Sequence, residues 1–138
     1  MMSSINVPRF VLSVVAVFIF MFAYEFVVHG HLMMPLYNET PQLWRPEAEM
    51  QANLFPWGIL SGVGLALVVT WLFTRHYENK GLHEGVRFGL WLGLLMGVMQ
   101  FGAYNYLPIS LNLALAWFAV MLVEGIGMGV VLSLTYRA

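Results

Sequence analysis

The strongest constraint on this chain is that its apolar residues come in four long blocks almost free of charge: Phe10–Val28, Phe55–Thr74, Phe88–Leu107 and Leu111–Tyr136. The first three hold a single acidic or basic residue between them, Glu25, and the fourth holds one, Glu124. An α-helix needs about 20 mostly apolar residues to cross the hydrocarbon core of a bilayer, and each block is close to that length or longer. A soluble helical bundle needs a polar face on every helix, and these blocks have none. The sequence therefore predicts an all-α integral membrane protein, a single four-transmembrane-helix bundle over residues 1–138. Composition agrees, with 9% charged residues against roughly 25% in average soluble domains. The first block is too long for the apolar part of a signal peptide and lacks a small-x-small cleavage site, so a retained first helix is expected.

Basic residues set the expected topology. Arg9, Arg75, Lys80, Arg87 and Arg137 fall at one end of the helices and only Arg45 at the other. The positive-inside rule then puts both termini in the cytoplasm and turns Gly30–Leu54 and the turn near Pro108 outward. Trp57, Tyr104 and Tyr106 are expected at the outer interface, and Trp71, Tyr77 and Tyr136 at the inner one. Pro56 and Pro108 are expected at the starts of the second and fourth helices, where a missing N–H is harmless. Arg45-Pro46-Glu47 followed by Glu49 reads as a helix start, which predicts a short outer-surface helix between helices one and two. The plan is similar to that of small four-helix bacterial inner-membrane proteins, without a motif that assigns a family.

Glycines 85, 89, 93 and 97 recur every fourth residue along the third block. Such spacing lays a smooth groove along one helix face, and in a bilayer small residues let backbones approach and gain packing contacts. Gly58 and Gly62 in the second helix, and Gly125 and Gly129 in the fourth, repeat the spacing. The groove is equally suited to packing within the monomer and to packing against a second copy or another membrane subunit.

The polar residues inside the blocks are the candidate site. Ionisable groups within a span are costly and mark functional positions. Glu25 and His29 lie four apart and share a helix face. Ser61, Gln100 and Asn112 come to a similar depth from the other three helices, so the outer half is expected to hold one hydrogen-bonding group per helix. Either a structural knot around a protonated Glu25 or a site for a proton, a metal ion or a small ligand would account for it. Glu124 falls near mid-bilayer, about 20 Å from the outer end of its helix, with no basic residue in any span to pair with it.

A second grouping, Glu25, His29, His31, Met33 and Met34, with Glu47 and Glu49 on the outer helix, has the donor types of a metal site. Imidazole with thioether suits copper, and imidazole with carboxylate suits zinc or iron. Nothing resembles a phosphate loop, a nucleophile elbow or a zinc-protease motif. The absence of cysteine excludes disulfides and thiolate chemistry. A net charge of −1 gives no reason to expect nucleic acid. Three functions are consistent with the sequence: a non-catalytic accessory or oligomerising component of a membrane complex, a metal-binding membrane protein, and a small proton-coupled transporter. Its partners are then the lipid bilayer and other membrane subunits or itself.

Overall fold

The computed structural model describes residues 5–137. It is helical, with no strand among the described residues, and four stretches are long and apolar enough to cross a membrane: Val7–Leu32, Pro41–Arg75, Leu82–Asn105 and Leu111–Thr135. Helix α1, Val7–Val27, begins where the Asn6 side chain accepts the Arg9 N–H. It continues through a π-helical turn, Val28–Leu32. A short helix α2, Met34–Tyr37, and a 3₁₀ turn, Pro41–Leu43, lead to α3, Glu47–Asn53.

Here the expected boundary moves. Pro56 does not open the second long helix. It lies inside a second π-helical turn, Leu54–Gly58, through which α3 runs directly into α4, Ile59–Arg75. A wider turn accommodates a residue that cannot donate an i−4 hydrogen bond, so proline bends this helix without ending it. The expected short helix is therefore present, but it is continuous with α4 through this turn rather than free-standing. Helix α5, Leu82–Phe101, closes in a 3₁₀ turn, Gly102–Asn105. Helix α6, Leu111–Thr135, is capped by Ser110, whose hydroxyl accepts the Leu113 N–H at 3.2 Å. Pro108 therefore precedes the cap instead of occupying the first turn.

The closest packing is between α5 and α6. Gly85, Gly89, Gly93 and Gly97 are all buried. A Cβ on Gly85 would meet the Gly129 carbonyl, one on Gly89 the Gly125 carbonyl, and one on Gly93 would come within 2.8 Å of Leu122 Cα. Gly125 and Gly129 face back onto Gly93 and Gly85. The stripe is satisfied inside the chain, backbone against backbone. The glycines of the second span behave differently. A Cβ on Gly62 would come within 3.1 Å of the Phe18 ring, while one on Gly58 would touch only Leu54 of its own segment.

Helix α1 packs on both α6 and α4. Ser13 and Thr135 join α1 to α6 at 2.8 Å. The Thr135 proton goes to the Val131 carbonyl, so Ser13 is the donor between them. One core cluster, around Val17, Val69, Phe73, Met128 and Leu132, occupies the end near residues 76–81. Tyr136 belongs to it, 5% exposed and edge-on to Phe73 and Tyr77, rather than to an interfacial belt. A second cluster, around Val28, Met33, Leu113, Ala114 and Trp117, fills the opposite end beneath residues 28–53. Between the clusters α4 leans on α1 without closing on the hairpin, and this leaves a cleft.

Candidate functional site

The site is organised by Tyr37, at the end of α2. Its phenol oxygen accepts the indole N–H of Trp117 at 2.8 Å and lies 2.5 Å from His29 Nδ1. Its carbonyl accepts the indole N–H of Trp44 at 2.9 Å. The Tyr37 and Trp44 rings meet edge to face, 5.1 Å between centroids. Burial holds the Tyr37 hydroxyl above its ordinary pKa against the opposing Trp117 hydrogen bond, and the nearby Glu25 charge adds to the rise. The phenol therefore stays protonated through the physiological range and serves as a donor.

Trp117 takes one lone pair of the phenol oxygen, and two arrangements of a neutral His29 satisfy what remains. Either the phenol donates to Nδ1 and the ring proton sits on Nε2, 3.3 Å from Glu25, or Nδ1–H donates to the phenol, whose own proton turns to Met33 Sδ, and Nε2 faces Glu25 as an acceptor. Glu25 in turn neighbours Glu124 on α6, and both carboxyls border the same cleft. The result is a row of polar groups, Tyr37–His29–Glu25–Glu124. Protonation of His29 leaves it intact: Nδ1–H donates to the phenol oxygen, and the phenol proton turns to Met33 Sδ, 4.0 Å away.

Two cavities meet at Glu25. A vestibule of about 590 Å³ is lined by Glu25, His29, Tyr37, Trp44, Gln100 and Trp117 among others. A cleft of about 510 Å³ runs from Glu25 between α1, α4, α5 and α6, and Ser61 and Glu124 line it. Glu124 is only 2% exposed, whereas Glu25 is half-buried and borders both spaces.

The expected convergence of one polar group per helix is met in part. Gln100 borders the vestibule and Ser61 the cleft, but Asn112 is exposed and touches neither. Glu124 joins the cluster instead of standing alone. The reason lies in unequal helix ends. Val28 and Met33 share a cluster with Leu113 and Trp117, so α6 begins well beyond the end of α1. Asn112 is carried past the site, and Glu124 comes level with Glu25.

The metal grouping does not assemble. His31 turns its Nδ1 to the Phe26 carbonyl at 3.3 Å. Met33 is buried in the core, Met34 borders the vestibule, Glu47 accepts from Gln51, and Glu49 pairs with Arg45. Among the described residues no group of three or more His, Asp or Glu is placed to hold a metal ion. A four-residue spacing aligned Glu25 with His29 but could not reach across the turns that follow Val28.

Tyr37, Trp44 and Trp117 carry no motif and were not legible as site residues. Their only signal is that each is an aromatic residue with a polar atom in or beside an apolar segment. Fold and site together define an all-helical protein, with four helices long and apolar enough to cross a membrane and a partly buried acid–imidazole–phenol row. Comparison with protein-family models, characterised proteins and solved structures gives no match to this chain.

Proposed function

We propose that this chain is a small proton-coupled transporter of the bacterial inner membrane, with both termini cytoplasmic and residues 28–53 outside. The observation that carries this reading is the row of titratable groups Tyr37–His29–Glu25, with Glu124 beside Glu25 on the wall of the same cleft. Its members border an open vestibule, and Glu124 is buried in a segment apolar enough to span a bilayer. A proton arriving at His29 Nδ1 converts the ring to imidazolium, and release from Nε2 hands a proton to Glu25. Reorientation of the ring and phenol protons restores the starting state. The carboxyl pair stores the proton at the wall of a cleft large enough for a small solute.

The test uses protein reconstituted in liposomes with a pH-sensitive dye trapped inside. An imposed pH gradient is expected to drive proton uptake in the wild type. His29→Gln, which keeps a hydrogen-bonding side chain but cannot relay a proton, is expected to cut uptake by about a hundredfold or more, in line with the value of one positioned proton-transfer group. Equal uptake in both, or none in the wild type, would overturn the reading.

A second reading is an accessory or oligomerising subunit. It is favoured by Gly64 on α4, where an added Cβ would meet nothing within 4 Å. Unlike the α5 stripe, this face of α4 is left to lipid or to another chain. Purification from native membranes with identification of co-migrating chains tests it.

A further inference from the structure

We propose that the cleft beside Glu25 and Glu124 binds a lipophilic monovalent organic cation, in exchange for the proton these carboxyls hold. The inference rests on the proton-exchange reading above and adds the class of solute.

The cleft, about 510 Å³, falls within the roughly 300–1,000 Å³ typical of small-molecule sites. Phe18, Phe22 and Phe26 line it from successive turns of α1, with Phe18 and Phe22 centroids 6.1 Å apart. Aromatic faces attract cations through the ring quadrupole. Met21, Met96 and Met121 add polarizable thioethers that adapt to varied shapes.

The polar groups of the cleft are acceptors. The Ser61 hydroxyl gives its proton to the Gly58 carbonyl at 2.9 Å and presents lone pairs. Glu25 and Glu124 supply the rest, and no Lys or Arg borders the space. An anion finds no partner there, and a neutral apolar solute would leave the carboxyls without a counter-charge. A cation satisfies both the rings and the carboxyls. A divalent metal ion would need several ligands converging on one point, and among the described residues no group of three His, Asp or Glu is placed to hold one.

One charge replaces one charge. When the cation enters, the Glu25 O–H bond breaks as an N–H bond forms at His29 Nε2, in the tautomer whose Nδ1–H donates to the Tyr37 phenol. The Nδ1 proton then leaves to the vestibule that His29 borders, and the site keeps the same net charge. The titratable groups facing the pair are His29 on α1, Tyr37 from α2, and Tyr24, whose hydroxyl donates to the Val120 carbonyl. Helices α4 and α5 contribute only Ser61 and Gln100. Phe22 and Phe26 are 45% and 63% exposed on a helix long enough to span a membrane. The cleft thus opens sideways, toward the region where a lipophilic cation partitions.

Calorimetric titration of the purified protein with tetraphenylphosphonium tests the proposal. Saturable binding is expected, weakening by up to about tenfold for each unit of pH decrease while proton and cation compete. Binding in weak buffer is expected to release a proton. Tetraphenylborate, of the same shape and opposite charge, is expected not to bind. Glu124→Gln is expected to remove the pH dependence. Because that variant disturbs a buried residue, Phe22→Ala serves as a second probe and is expected to weaken binding several-fold, the size of a cation–π contact.

Equal binding of the two tetraphenyl ions, or tetraphenylphosphonium binding indifferent to pH and to Phe22→Ala, would overturn the proposal. So would no binding at all. If proton uptake is then still lost in His29→Gln, the cation class has failed and the proton reading stands. Cation binding by a wild type that takes up no proton overturns both.

Discussion

Trp117 on α6 donates its indole N–H to the phenol oxygen of Tyr37, 2.8 Å away and 80 residues distant in the chain. This bond fastens the segment over the vestibule to the helix that carries Glu124. Trp117→Phe keeps a ring but removes the donor. It is expected to cost about 1–2 kcal/mol, the range for a hydrogen bond whose partner is left buried. Thermal unfolding in detergent measures the cost, and faster amide exchange over residues 34–44 is the local signature. Unchanged exchange there would mean that the segment is held without Tyr37.

The α5–α6 seam makes a sharper forecast. Gly89→Ala would drive a methyl group toward the Gly125 carbonyl and within 2.7 Å of Ile126 Cα. Overpacking of this kind is expected to cost about 1–3 kcal/mol. Gly64→Ala on α4 meets open space and is expected to be neutral or stabilising by up to about 1 kcal/mol. Gly93→Leu should likewise cost more than Leu92→Ala. Melting temperatures in detergent give the order, and a reversed order would remove the glycines from the seam.

The four spans were legible because apolar length survives any detail of packing. Their ends were less so. Val28–Leu32 and Leu54–Gly58 are π-helical turns, and the hydropathy pattern does not distinguish such a turn from an α-helical one or from a break. The glycine stripe was legible as a packing face, but the spacing alone did not say that α6 covers it. Glu25 with His29 could be read from a four-residue spacing. Glu25 with Glu124 could not, because their approach depends on how far α6 extends past α1. Tyr37 reaches the site only through the turns after Val28, which no periodicity encodes.

At the opposite end, Glu84 is 3% exposed and its carboxylate accepts the N–H groups of Glu78, at 2.6 Å, and Lys80, at 2.9 Å. These bonds hold a loop in which Asn79 and Gly81 have positive φ. Glu84→Ala is expected to cost about 1–3 kcal/mol by leaving two N–H groups unmet. Glu78, exposed, is a different case. A hydrogen bond from Lys80, opposed by slight desolvation and aided by Arg87, holds its carboxyl below the ordinary value. A lowered value means that this pairing contributes above the unfolded pKa and is lost as pH falls through the folded one. Glu78→Gln is therefore expected to flatten the acid limb of the stability curve, and added salt should shrink the difference. An acid limb identical to the wild type would show that the pair is idle.

Topology is open to direct labelling, since the chain has no cysteine. Asn79→Cys and Gln42→Cys put single thiols on the two ends. With both termini cytoplasmic, an impermeant thiol reagent should modify position 42 in intact cells and leave position 79 silent until the cells are opened. The reverse pattern would invert the orientation and move the vestibule to the cytoplasmic side.

The carboxyl pair separates structure from transport. In Glu25→Gln the amide can donate to a Glu124 carboxylate as a shared proton does, so the contact between α1 and α6 survives. The expected loss of stability is under about 1 kcal/mol, whereas Glu25→Ala, which leaves the buried Glu124 without its partner, should cost about 1–3 kcal/mol. Proton uptake should vanish in both, because an amide does not release its proton. Parallel melting and liposome assays resolve the two effects. Wild-type uptake in Glu25→Gln would take Glu25 off the proton route. A loss of stability in Glu25→Gln as large as in Glu25→Ala would mean that the charge on Glu25, paired with His29, matters to the fold more than the proton it shares with Glu124.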